Sequence, residues 1–198
     1  MRNAALTQPD LRDRILDEAE RVFRLYGYAK TTVADIAKAC GMSPANVYRF
    51  FESKAAIKEA VTGMMLAKQE QLALSIAGER RPAAQRLRKL IVEMHRFTCE
   101  QYLKESAVHE IVTRAMHEQW PVIDAHIERV RLIYYAVIDD GVRTGEFAAR
   151  GSADRRASVF NAIMPFCHPQ MVAEKFAGDQ GRQAGLMADF LVEALRAH

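Results

Sequence analysis

The stretch from Thr31 to Lys54, TTVADIAKACGMSPANVYRFFESK, constrains the fold more than any other part of the chain. It reads as two short helices joined by a tight turn. Val33, Ile36 and Ala37 form an apolar stripe at helical spacing. Thr32 is placed to cap that helix, with Asp35 completing a capping box. Gly41 stands where the chain must turn sharply and a positive φ is useful. Ser43 caps a second helix, and Pro44 takes its first position, where a missing N–H costs nothing. Val47, with Phe50 or Phe51, faces back into a core. Ser53 caps a further helix, which Lys54 opens.

A small residue at Ala37, Gly41 after it and the apolar Val47 beyond have the spacing of a helix-turn-helix. In that motif the second helix enters the DNA major groove. A plain helical hairpin in an all-α protein can also contain Ala-x3-Gly. The outer face of the second helix favours the first reading, because Asn46, Tyr48 and Arg49 are hydrogen-bonding residues. A Lys at a helix N-terminus opposes the macrodipole. It makes sense where a phosphate meets both the ammonium and the free N–H groups. On this reading Thr32, Tyr48 and Lys54 touch phosphates, while Ser43, Pro44, Ala45, Asn46 and Arg49 lie at base edges. Asn46 with adenine and Arg49 with guanine are the bidentate pairings.

The segment GYAKTTVADIAKACGMSPANVYRFFESKAAI resembles the DNA-binding domain of the tetracycline-repressor (TetR) family of bacterial regulators. The resemblance is carried by Gly27-Tyr28, Thr31-Thr32, Ile36-Ala37, Gly41, Tyr48, Phe51 and Lys54, and covers about residues 10 to 65. Arg49 and Phe50 stand where Tyr-His is frequent, so the family's contacts at that turn do not carry over. The resemblance implies a ligand-responsive repressor: a helix-turn-helix bundle on double-stranded operator DNA, and a second helical domain that binds a small-molecule effector and forms a homodimer.

The whole chain is consistent with this. Its 198 residues suffice for one or two small domains, and 49% hydrophobic with 27% charged residues is ordinary for a globular protein. No run of about 18 apolar residues marks a membrane span, and MRNAALTQPD has no signal-peptide core. Cys40, Cys99 and Cys167 are widely spaced without CxxC, which argues against a disulfide framework or structural zinc. The expected compartment is the cytoplasm. A net charge of +3 permits nucleic-acid binding without demanding it.

Residues 1 to 9 are expected as a loose arm; a disordered tail is favoured over the alternative in which Arg2 and Arg12 reach phosphates. Ile15, Leu16, Ala19, Val22, Phe23 and Tyr26 place a first helix over about residues 9 to 26, ended by Gly27. From Lys54 a long helix runs through Ile57, Val61 and Met65 to Ile76, with Gly63 its one soft point. It serves equally as a rigid lever or as a plain core helix. Pro82 opens the next helix, Ser106 another through Met116, and Pro121 a long one ending in Gly141-Val142-Arg143-Thr144-Gly145-Glu146-Phe147. That ending is similar to the close of a central helix in many TetR-type regulators. Ser152 caps a further helix, broken at His168-Pro169, and the last starts near Gln180. No segment alternates as a strand does. The fold reads as all-α, with a helix-turn-helix domain over 1–57 and a ligand-binding and dimerisation domain over 58–198.

His95 and Cys99 share a helical face but have no evident third metal ligand. His109, His117 and His126 read as surface or pocket-edge residues. No nucleophile elbow or oxyanion loop orients a Cys-His pair, so no catalysis, metal or cofactor is expected. The second half is rich in Met and aromatic residues. Most such residues are core, but a helical domain holding an apolar or aromatic ligand lines its cavity with them. Met94, Phe97, Met116, Trp120, Tyr134, Met164 and Phe166 are the candidates. Val159, Ile163, Leu186, Phe190 and Leu191, on the last helices, are the candidates for a dimer seam. The rival readings are a helical small-molecule-binding protein whose hairpin imitates the motif, and a constitutive DNA-binding regulator without inducer.

Overall fold

The computed structural model describes residues 8–103, 120–149, 151–176, 178 and 181–196. Residues 1–7 of the expected arm, the helix from Ser106 to Met116, His109, His117 and Gln180 lie outside the described residues, whereas Gln8 and Pro9, also expected in the arm, already belong to the first helix. Among the described residues there are nine α-helices, one π-helical turn and an isolated bridge that pairs Phe147 with Arg196. The helices are α1 (Gln8–Tyr26), α2 (Val33–Ala39), α3 (Pro44–Tyr48), α4 (Lys54–Ala77), α5 (Ala83–Thr98), α6 (Pro121–Arg143), α7 (Ser152–Cys167), α8 (Pro169–Lys175) and α9 (Arg182–Leu195).

α1, α2, α3 and the first turns of α4 close around Ile15, Phe23, Ile36, Ala37, Val47, Phe51, Ile57 and Val61. A second core joins the far end of α4 to α5, α6, α7 and α9, through Ile76, Leu90, Ile91, Tyr134, Ile138 and Ile163. Between them Leu66, Trp120 and Ile123 form a small cluster. α4 therefore contributes to all three. Its 24 residues make a rod of about 36 Å, and its apolar residues change side along it because its neighbours change. Gly63 is not a soft point but a close approach: a Cβ there would meet Val122 of α6 at 3.3 Å.

α5 continues into a π-helical turn, Cys99–Leu103, which carries Tyr102 into the N-terminal core. Such turns re-aim side chains and recur at functional places. The expected cap of α7 is corrected: Gly151, at φ +68°, holds the N-cap position, and Ser152 is already helical. α7 accommodates Pro165 near its end, and Pro169 opens the short α8.

Candidate functional site

The turn between α2 and α3 is built from local hydrogen bonds. Thr32 Oγ accepts from the Asp35 N–H at 3.2 Å, and Asp35 Oδ2 accepts from the Thr32 N–H at 2.8 Å. The Thr32 hydroxyl also donates to that carboxylate, at 2.6 Å. These bonds, the hydroxyl's first, hold the Asp35 pKa below the ordinary carboxylate value. α2 ends in a Schellman motif: Met42 N–H donates to Ala37 O at 2.9 Å and Gly41 N–H to Lys38 O at 3.1 Å, with Gly41 at φ +66°. Arg14 of α1 ties down the end of α2 by donating to Cys40 O at 2.9 Å. Ser43 Oγ accepts from Asn46 N–H at 3.3 Å and so sets the start of α3.

This geometry leaves the sequence-predicted DNA residues around α3 exposed. Val47 is fully buried, whereas Ser43, Pro44, Ala45, Asn46, Tyr48 and Arg49 are exposed. Lys54 opens α4 behind them. Its ammonium lies 4.2 Å from the Tyr28 ring centre and donates to Ala29 O at 3.4 Å. Partial burial lowers its pKa, against the pull of Asp35. Thr32 stands beside it, its N–H and hydroxyl both engaged by Asp35.

A cavity of about 60 Å³ lies between α4, α5, α6 and α7. Leu66 and Gln69 come from α4, Met94 from α5, and Tyr102 from the π turn. Ile123, His126, Ile127 and Val130 come from α6, Phe160, Met164 and Cys167 from α7, and His168 and Pro169 close the end. Of the expected lining, the structure brings Met94 and Met164 to the wall. Phe97 instead packs edge-on to Tyr102, centres 5.7 Å apart, against the N-terminal core. Trp120 covers Lys58, 3.7 Å from the ring centre. Tyr134 is fully buried behind the wall, edge-on to Phe160. Phe166 stacks on Phe176 at 4.6 Å. Met116 lies outside the described residues.

Of the polar lining, His126 was read as a surface or pocket-edge residue, while Gln69 and His168 were not singled out. His126 sits in the apolar stripe with Ile123, Ile127 and Val130, and a lone imidazole in such a stripe is the signal that marks it. Its Nδ1 lies 2.7 Å from Glu70 Oε1, and Arg129 grips the same carboxylate at 2.8 and 2.9 Å. Burial lowers the His126 pKa despite Glu70. Burial works the other way on Glu70, but Arg129 and His126 outweigh it and hold that pKa below the ordinary value. His95 serves the fold: Nδ1 donates to Phe166 O at 2.8 Å, and Nε2 meets Cys99 Sγ at 3.5 Å. Among the described residues no group of three acidic, His or Cys side chains could hold a metal ion.

On the last helices the expected seam divides. Val159, Ile163 and Leu191 are buried in the chain's own core, as are Phe166 and Leu195. Leu186 and Phe190 stay exposed on one face of α9, at 53% and 68%. No described helix is long and apolar enough to cross a membrane.

Two family models match this chain. "Bacterial regulatory proteins, tetR family" covers residues 15–61, and "Tetracyclin repressor-like, C-terminal domain" covers residues 83–184. The HTH-type transcriptional repressor BepR of Brucella suis biovar 1 is 25% identical over 172 residues, 83% of this chain and 81% of BepR. A TetR transcription regulator from Haloarcula marismortui superposes with a TM-score of 0.74 at 21% identity, covering 96% of this chain and 100% of that one. The regulator FadR from Bacillus subtilis, solved with stearoyl-CoA, superposes with a TM-score of 0.65 at 19% identity, covering 93% of this chain and 99% of that one. The C-terminal match alone spans more than half of the 198 residues, and the capped helix-turn-helix lies within the N-terminal one, so the chain belongs to the tetracycline-repressor family of transcriptional regulators.

Proposed function

We propose that this regulator is a homodimeric repressor which leaves its operator when a small apolar or aromatic molecule enters the cavity. Residues 1–57 read the DNA, and residues 58–198 bind the ligand and dimerise. Tyr48, Lys54 and Thr32 meet phosphates, and Ser43, Pro44, Ala45, Asn46 and Arg49 face base edges. The chain works in the cytoplasm, beside its DNA, with no catalytic step of its own.

One observation carries this reading. The helix that Lys54 opens, α4, also supplies Leu66 and Gln69 to the cavity wall. At about 60 Å³ the cavity is smaller than the ~150 Å³ that accommodates benzene. A ring-sized ligand must therefore part the walls. The tie from Glu70 to His126 and Arg129 transmits that movement to α4. A tilt of about 5° over a helix of about 36 Å moves its far end by about 3 Å. Two heads that must sit ~34 Å apart on DNA then lose their register.

Selection from a random duplex pool tests the DNA half of the reading. The expected product is a two-fold symmetric site, bound with at least a thousandfold preference over non-specific duplex, on the order of that for specific regulators. Recovery of no preferred sequence would overturn it.

A further inference from the structure

We infer that the cavity takes an uncharged, single-ring molecule carrying one hydrogen-bond donor, a phenol in chemical class, with His126 Nε2 as the acceptor. This rests on the ligand-responsive reading above and names its ligand chemistry.

The described walls carry no charged side chain: no Lys, Arg, Asp or Glu is among the described lining residues. A carboxylate, phosphate or ammonium placed there would lose its hydration without gaining a counter-charge. Glu70, which contacts the lining residue His126, is already paired with Arg129 by two hydrogen bonds of 2.8 and 2.9 Å.

The polar atoms then select a donor. A carboxylate accepts, so the 2.7 Å contact fixes the His126 proton on Nδ1, pointing at Glu70. Arg129 holds Glu70 in place, and the tautomer is set from behind, as an outer shell sets a ligating imidazole. Burial keeps the ring neutral. Nε2 is left as a lone-pair acceptor on a residue that lines the cavity. Three other lining residues, Tyr102, Gln69 and Cys167, have polar atoms engaged. Tyr102 OH reaches Gln69 Oε1 at 3.5 Å, and Gln69 Nε2 reaches Thr98 Oγ1 at 3.4 Å. Thr98 in turn donates to Cys167 O at 3.1 Å. His168 adds a second imidazole to the wall, and its buried Nδ1 has no hydrogen-bond partner. With about 60 Å³ available, a single ring is the aromatic size that asks the least opening of the walls.

The test uses the full chain and three probes of matched shape: 4-ethylphenol, 4-ethylanisole and 4-ethylbenzoate, titrated calorimetrically near neutral pH. The phenol is expected to bind about tenfold tighter than the anisole, as for one hydrogen bond made in an apolar site, and the benzoate to give no heat. In His126→Leu the preference for phenol over anisole should fall to about one, and in His168→Leu it should persist. Benzoate binding as tightly as phenol, or anisole equal to phenol on the wild type, overturns the inference without any variant. A phenol preference that survives in a folded His126→Leu protein overturns the choice of acceptor. Binding of none of the probes at millimolar concentration overturns this inference, whereas the ligand-responsive reading falls only if no apolar compound of any size lowers operator affinity. Phenol binding with the expected preference but unchanged operator affinity supports the chemistry and overturns the release mechanism alone.

Discussion

Glu146 caps a helix that begins 63 positions before it in the chain, its Oε1 accepting from Ala83 N–H at 2.9 Å. Its Oε2 accepts from Ala84 N–H at 3.1 Å. α5 needs this, because Pro82 at its N-cap position offers no side-chain acceptor. Burial raises the Glu146 pKa, but the two N–H groups, the Thr144 hydroxyl and the Arg86 charge together hold it below the ordinary value. Phe147 sets the position of the cap by lying across Gly141, where a Cβ would come within 2.2 Å of the ring. Glu146→Ala should cost about 1 kcal/mol, the worth of a helix cap. Gly141→Ala should cost about 1–3 kcal/mol by overpacking. Urea unfolding reads both, and an unchanged midpoint in Gly141→Ala would contradict the packing described here.

The proposed DNA face separates two kinds of contact. Lys54→Ala should weaken every duplex alike and lower the salt slope of binding by about one unit. It should also release the Tyr28 ring, since the ammonium now covers it at 4.2 Å. Arg49→Ala should instead cost about 1–3 kcal/mol at one base position and relax preference there. Binding isotherms at several salt concentrations distinguish them. If Lys54→Ala kept the wild-type slope, its phosphate role would be wrong.

A neutral His126 has a thermodynamic signature. Its pKa in the fold lies below the ordinary 6.5, pushed there by burial. In the window between the folded value and about 6.5 the unfolded chain binds more protons at this site than the folded one. The stability from this site is therefore complete above that window and is lost as the pH falls through it. His168, also lowered by burial, contributes in the same direction, so the informative quantity is a difference. Between about pH 7 and pH 5 the unfolding midpoint of His126→Leu should fall less than that of the wild type. Parallel pH curves would show that the buried imidazole is not held neutral.

The helix-turn-helix was legible because its determinants act within a few residues. Thr32 with Asp35, Gly41, Ser43 with Pro44, and Ser53 each satisfy or terminate a helix locally, and each stands where it was read. The cavity was legible only in part, for a physical reason. Helical periodicity says that a residue faces inward, not which neighbour it meets. Met94 and Phe97 share α5, yet Met94 joins the cavity while Phe97 packs on the N-terminal core, because α5 passes between the two. Trp120, Tyr134 and Phe166 are inward-facing residues with other partners. The Gly141 to Phe147 segment could be matched by resemblance, but the role of Glu146 depends on a contact across 63 positions that no local pattern encodes.

The same division governs the proposed dimer. Val159, Ile163 and Leu191 already pack within the chain, so a charge at any of them would unfold it rather than split a pair. Leu186 and Phe190 lie one helical turn apart on α9 and expose 53% and 68% of their surface. Beside them Arg88 and Asp189 pair at 2.6 Å on the surface, tying the outer face of α9 to α5. An exposed Leu-Phe pair on one helical face suits a two-fold contact, in which each copy covers the other's apolar residues. Phe190→Glu and Leu186→Glu should leave the far-UV spectrum and unfolding midpoint of the monomer close to wild type, while sedimentation at micromolar concentration shifts from dimer to monomer. Operator affinity should fall by about a thousandfold, toward non-specific binding, because one head reads only a half-site. A wild-type monomer at that concentration, or a Phe190→Glu protein that sediments as a dimer and binds its operator unchanged, would place the contact elsewhere.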